Sequence, residues 1–171
     1  EDAKLGIWHI CEPESFFQAR VAISREIHHP HKRLQHFAAR YLLQELFPDF
    51  PLSKIKIAHN NKPYLEKFSF HFSLSHSGDY AAAIVSRSEK TGIDIESRPR
   101  GINPIIAKVA HKFLNDAEKE ASILSGDQLL FQTICWTAKE AVYKWYGEGG
   151  IDFKEHIFLL PFIIKDNGKI N

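Results

Sequence analysis

An α+β fold is predicted by three features of the sequence. These are an apolar stripe of helical period between His31 and Phe47, two apolar runs meeting at Ser77-Gly78-Asp79, and a succession of helix-capping residues after Asn103. In the stripe, Leu34, Phe37, Ala38, Tyr41, Leu42 and Leu46 fall on one helical face, and Pro48 stops the pattern. Phe70, Phe72 and Leu74 then alternate with His71, Ser73 and Ser75, and the apolar run Tyr80 to Val85 completes a predicted hairpin. Thr91-Gly92 leads into Ile93-Asp94-Ile95-Glu96, read as a short alternating strand that Pro99 and Gly101 end.

Asn103-Pro104 predicts a helix start, because an Asn side chain caps free amides and Pro is tolerated at the first helical position. That helix is expected to run to about Leu114. Asn115 with Glu118 forms a capping-box pattern that restarts it, and Asp127 caps a third helix reaching Tyr146 before Gly147. Ile157 to Ile164 is apolar again, and Asp166-Asn167-Gly168 has hairpin-turn chemistry with only Lys169, Ile170 and Asn171 to form the returning strand. Helices are therefore expected to frame the sheet. The seam is expected at Ser97 to Asn103, between an N-terminal lobe of residues 1–100 and a C-terminal lobe of residues 101–171 that looks incomplete at its end.

With 171 residues, 44% of them hydrophobic and 25% charged, the chain can bury a sizeable core, and no apolar run is long enough to span a bilayer. The formal net charge is +1, which argues against a nucleic-acid module, and no such motif is recognised. The stretch Arg20 to Lys67 is nevertheless locally basic. Cys11 and Cys135 are the two cysteines, and without a visible signal peptide they read as reduced thiols of a cytoplasmic protein.

Asp94 and Glu96, two apart in an extended segment, project their carboxylates from one face while Ile93 and Ile95 face a core. Hard oxygen donors crowded in this way suit magnesium; a solvated strand edge is the plainer alternative. On the predicted third helix Trp136, Glu140, Tyr143 and Lys144 share a broad face. Glu140 can add an oxygen near a metal or accept a proton, and Lys144 can neutralise a phosphate; an ordinary Glu-to-Lys pair is the alternative.

Ser75-His76-Ser77 ends a strand, where imidazole and hydroxyls facing a cleft would donate to phosphate, unless His76 is a core histidine. A Ser-His-Asp hydrolase is disfavoured because the Gly-x-Ser-x-Gly elbow is missing. Arg33, His36 and Arg40 lie on one polar stripe, and Lys62-Pro63 follows in a loop; together they suit a phosphorylated ligand, or form a solvated basic face. His28, His29 and His31 lack the partners of a zinc site.

The pieces Gly92 to Glu96, Trp136 to Lys144, Phe72 to Ser77, Asn61-Lys62-Pro63 and Arg40-Tyr41-Leu42-Leu43 resemble the 4′-phosphopantetheinyl transferase superfamily, in its larger, pseudo-dimeric single-chain branch. The resemblance covers Lys32 to about Lys154. It implies two similar lobes, each a small antiparallel sheet packed with a long helix, with coenzyme A in the cleft between them. It also implies a magnesium-dependent transfer of the 4′-phosphopantetheine group from coenzyme A to a serine of an acyl or peptidyl carrier protein, releasing 3′,5′-ADP, by a monomer.

By the same resemblance Asp94, Glu96 and Glu140 would surround magnesium, with Glu140 and Lys144 carrying the chemistry. Lys144 and His76, beside Ser75, would touch the diphosphate; Arg40, with Lys32 or Arg33, would reach the 3′-phosphate; Lys62 and Pro63 would lie by the adenosine. Asn61 stands where the family often has Gly, and the basic residues before Arg40 do not align cleanly. A non-catalytic member that binds coenzyme A or a carrier is the alternative.

Overall fold

The computed structural model describes residues 2–22, 26–67, 70–97 and 104–165. An N-terminal sheet holds β1 (Ala3–His9), β4 (His71–Ser77) and β5 (Tyr80–Ser86), all antiparallel in the order β1-β5-β4. Helix α1 (Glu14–Gln18) and the long α2 (Pro30–Leu46) follow β1, and a separate two-stranded ribbon pairs β2 (Ile55–Ile57) with β3 (Pro63–Leu65). The remainder is helical: α3 (Pro104–Phe113), α4 (Asp116–Leu124), α5 (Gln128–Tyr146) and the short α6 (Phe153–His156).

Helix α2 begins with Pro30 in its first turn, accepts a cap from His29, and ends at Leu46, in agreement with the stripe and the Pro48 stop. It lies across the sheet. Leu42 and Leu43 pack with Phe47, Phe50, Phe70, Phe72, Ala83 and Val85, and Phe37, Ala38 and Ala39 pack with Phe17 and Ala81. Gly6 on β1 permits this approach, since a side chain there would press on Leu42 and Leu46.

The predicted hairpin forms as β4 and β5, with Ser77 paired to Tyr80 and Gly78 at φ +54 opening the two-residue turn. Strand β1 escapes a pattern reading because its alternation is inverted. Leu5 and Ile7 point outward, 57% and 59% exposed, while Lys4, Gly6 and Trp8 turn toward the helix side.

The helix caps act as their sequences predict. Asn115 and Glu118 complete a capping box at α4, Asp127 accepts from the Leu130 amide at α5, and Gly147 ends α5 at φ +79. Phe113, Leu114, Phe131 and Cys135 form the core of the helical half. Among the described residues no strand follows Ser86, so the second sheet expected in residues 101–171 is not among the elements. The Asn103 cap, Pro99, Gly101, most of the predicted seam and the Asp166-Asn167-Gly168 turn lie outside the described residues. No helix among those described is long and apolar enough to cross a membrane.

Candidate functional site

The strand predicted at Ile93 to Glu96 does not form as a ladder-paired element, and residues 93–97 carry no regular secondary structure. Side chains hold them instead. Ser73, Ser75 and Ser77 project from one face of β4, and their Oγ atoms accept the amides of Ile93, Ile95 and Ser97 at 3.1, 3.3 and 3.1 Å. Two of these hydroxyls also donate to the acidic side chains, Ser75 to Asp94 Oδ1 at 2.7 Å and Ser77 to Glu96 Oε2 at 2.8 Å. The same serines therefore fix both the backbone and the carboxylates of the segment.

Helix α5 supplies the opposing wall. At Gly92 the segment runs so close to α5 that an added Cβ would overlap the Ala141 carbonyl and sit 2.6 Å from the Trp145 amide. Lys144 reaches across, its Nζ 2.6 Å from Asp94 Oδ1 and 3.1 Å from Ser75 Oγ. Glu140, one turn earlier, faces the same cavity of about 620 Å³, which His36, Arg40, Pro63, His76 and Trp136 also line. Tyr143 leaves this face and packs on Phe153.

The electrostatics follow from crowding. Burial first, then the charge of Asp94 and more weakly that of Glu96, hold the Glu140 carboxyl above its ordinary range, with Lys144 pulling it down. The protein packed around the ring of His76, then Lys144 and Lys32, push its imidazole below the ordinary value, although the residue keeps an exposed face. Burial likewise lowers the Arg40 guanidinium, whose Nη1 lies 3.1 Å from His36 Nδ1.

Asp94 Oδ2 is buried and has no hydrogen-bond partner. Among the described residues no three His, Cys, Asp or Glu side chains form a ready-made metal cage. The donor set itself fits a hard divalent cation: an orphaned carboxylate oxygen, with Glu96 and Glu140 near enough to perturb one another electrostatically.

The structure brings together Asp94, Glu96, Glu140, Lys144, Ser75, His76, Arg40 and Pro63, which line this one cavity. Other expected ligand contacts are placed elsewhere. Arg33 pairs with Glu14 at 2.8 Å and donates to the Ile27 carbonyl, and Lys62 donates to the Lys144 carbonyl at 2.7 Å. Lys32 is exposed and close enough to His76 to act on its charge. The Ser75 hydroxyl, expected to donate to phosphate, donates to Asp94 here. The histidines of the weak zinc reading are spread out: His29 caps α2, His31 lies 3.0 Å from the Gly78 carbonyl, and His28 lies 3.6 Å from Glu26.

Asn61 has φ +63, the left-handed region where glycine is favoured and Asn is tolerated, so the departure from Gly at this position preserves the turn.

Two features were missed from the sequence. The serine contacts were signalled by Ser at every second position of β4, a polar face where a covered strand would be apolar. The other is Lys139, fully buried, whose ammonium donates to Glu118 Oε2 at 2.7 Å, to the Phe113 carbonyl at 2.7 Å and to the Phe153 carbonyl at 2.9 Å. Nothing in a Lys-Glu dipeptide on a helix announces that the lysine, not the glutamate, points inward.

Residues 90–169 match the family model described as the 4′-phosphopantetheinyl transferase superfamily. The chain is 34% identical over 116 residues to 4′-phosphopantetheinyl transferase psf-1 of Bacillus pumilus, covering 64% of this chain and 47% of that protein. It is 31% identical over 144 residues to a putative 4′-phosphopantetheinyl transferase of Haemophilus influenzae, covering 80% and 60% respectively. It is 33% identical over 118 residues to 4′-phosphopantetheinyl transferase AcpT of Escherichia coli K12, covering 68% and 59%. The chain thus matches about half to three-fifths of the length of these relatives.

Proposed function

We propose that this chain, whose residues 90–169 match the 4′-phosphopantetheinyl transferase superfamily, transfers the 4′-phosphopantetheine group of coenzyme A to a serine of an acyl or peptidyl carrier protein, releasing 3′,5′-ADP. One observation carries the reading. Asp94 and Glu96 from one segment meet Glu140 and Lys144 from α5 around a single cavity, with Lys144 Nζ 2.6 Å from Asp94 Oδ1.

The carrier serine oxygen bonds to the β-phosphorus of coenzyme A as the bond to the leaving 3′,5′-ADP breaks. Negative charge grows on the phosphoryl oxygens, and the Lys144 ammonium is positioned to neutralise it. Glu140 takes the serine proton; burial and neighbouring carboxylates make its ionised form a stronger base than an exposed glutamate. His76, Lys32 and Arg40 would face the phosphates, Arg40 through a fork suited to the 3′-phosphate. Pro63 would lie by the adenosine.

Asp94, Glu96 and Glu140 would hold magnesium, which supplies Lewis-acid stabilisation of the phosphoryl oxygens when bound. Residues 1–100 and 101–171 would form the two lobes on either side of coenzyme A, in a monomer. The local basic excess between Arg20 and Lys67 suits an acidic carrier surface.

The test is intact-mass measurement of a purified apo carrier protein incubated with this protein, coenzyme A and magnesium. A gain of one phosphopantetheine that requires magnesium and disappears with Glu140→Gln is expected. No gain on any of several carriers, with coenzyme A still bound, would replace this reading with a non-catalytic one.

A further inference from the structure

Lys62 lies in the loop joining β2 to β3, between two residues, Asn61 and Pro63, that line the cavity. Its own side chain goes elsewhere. The ammonium donates to the main-chain carbonyl of Lys144, 82 residues further along the chain, at 2.7 Å.

The last carbonyls of any α-helix have no amide four residues ahead and must find other partners. At the end of α5 the Tyr143 carbonyl takes the Gly147 amide at 3.0 Å, the Lys144 carbonyl takes Lys62, and the Gly147 carbonyl takes Asn60 Nδ2 at 3.2 Å. A cation here also opposes the partial negative charge of the helix end. The donor loop is itself fixed. Asn61 sits at φ +63, the Ala58 amide donates to the Lys62 carbonyl at 2.9 Å, and the Lys62 amide donates to Asn60 Oδ1 at 3.2 Å. Gly147 leaves room for the ammonium, since a Cβ there would collide with Lys62 Nζ.

We propose that Lys62 is a positioning residue: it caps the last turn of α5 and thereby holds the Lys144 ammonium at Asp94, rather than touching the nucleotide. The inference rests on the transferase reading above. The carbonyl that Lys62 holds and the side chain that reaches Asp94 belong to the same residue, so fraying of this turn displaces Lys144 directly. Pro63 and Asn61 join the same loop to the cavity wall, so the loop links the ligand surface to the end of α5.

The test compares Lys62→Met, Lys62→Arg and Gly147→Ala with the wild type by three measurements: amide hydrogen exchange across residues 144–148, coenzyme A affinity by calorimetry, and steady-state transfer. In Lys62→Met, exchange in the last turn should rise roughly tenfold or more as the turn loses its cap. Its kcat should fall about tenfold while the coenzyme A Kd moves less than about threefold. Gly147→Ala should reproduce both effects, and Lys62→Arg, which keeps a donor for the same carbonyl, should recover part of kcat. A tenfold weaker Kd with unchanged kcat and exchange would make Lys62 a ligand contact and overturn the proposal. Unchanged exchange alone would remove the cap. A wild type that transfers nothing would overturn the transferase reading and the positioning role with it, while the exchange data still judge the cap itself.

Discussion

Lys144 Nζ stands 2.6 Å from Asp94 Oδ1, while Oδ2 of the same carboxylate is buried without a partner. The ion pair joins two segments 50 residues apart, and neither side chain is freely solvated, at 27% and 8% exposed. Replacing Lys144 by Met leaves Asp94 enclosed with a single serine donor. A loss of about 2 kcal/mol in urea unfolding is expected, together with loss of transfer. A variant as stable as the wild type would show that the pair contributes nothing to the fold.

Glu140 should cost the ligand-free protein stability. Its folded pKa is raised, so the folded state binds the proton more tightly than the unfolded chain. The resulting stabilisation is full below the ordinary value of 4.5 and is lost as pH rises through the folded pKa. Glu140→Gln removes this dependence. Thermal melts from pH 4 to 8 should show the variant gaining on the wild type as pH rises, with the larger Tm at neutral pH. A gap that is constant with pH would contradict the assigned strain.

Lys139 and Glu118 are 0% and 5% exposed, and Glu118 also accepts the amides of Asn115 and Leu159. Lys139→Ala therefore strands a buried carboxylate and two main-chain carbonyls, and should cost about 3–5 kcal/mol. The double variant Lys139→Met, Glu118→Gln should cost less than the sum of its parts. Additive losses in denaturant titrations would mean that the two side chains act independently.

Gly92→Ala should be more damaging than its chemistry suggests, because the added methyl overlaps the α5 backbone rather than a yielding side chain. Separation of the 93–97 segment from α5 should cost about 3 kcal/mol or prevent folding, read as Tm and soluble yield. An alanine variant with normal Tm and normal transfer would show that the contact is not needed.

The two thiols should differ sharply toward a disulfide reagent at pH 8. Cys135 is buried and its thiol is pushed up to about 12, chiefly by burial, whereas Cys11 is exposed. One rapid and one very slow equivalent are expected, the second appearing only on unfolding.

Much of this architecture was legible because its signals are local. The period of α2, the Asn115 box, the Asp127 cap and Gly147 each depend on a few neighbouring residues. Asp94, Glu96, Glu140 and Lys144 were legible as chemistry, though not that Lys144 would lie on Asp94. What stayed hidden depends on partners distant in sequence. Strand β1 shows its apolar residues to the outside, Lys139 buries its charge against three separate segments, and Lys62 serves a helix 82 residues away. The alternation of Ile93 to Glu96 points to a strand, and it could not reveal that serine side chains take the place of a strand partner.

Those serines act as a ruler. The hydroxyls at 73, 75 and 77 grip the amides at 93, 95 and 97 at a constant offset of 20 residues, so the pitch of β4 is copied into the interval between Asp94 and Glu96. Two residues of a strand advance roughly 6.6 Å, and that repeat of the template spaces the carboxylate-bearing residues. The connection before Gly92 can then lengthen or shorten without changing the interval. Parity on β4 cannot change: one residue inserted between Ser73 and Ser77 sends part of the ruler to the opposite face of the sheet, and the graduations no longer meet the segment they measure.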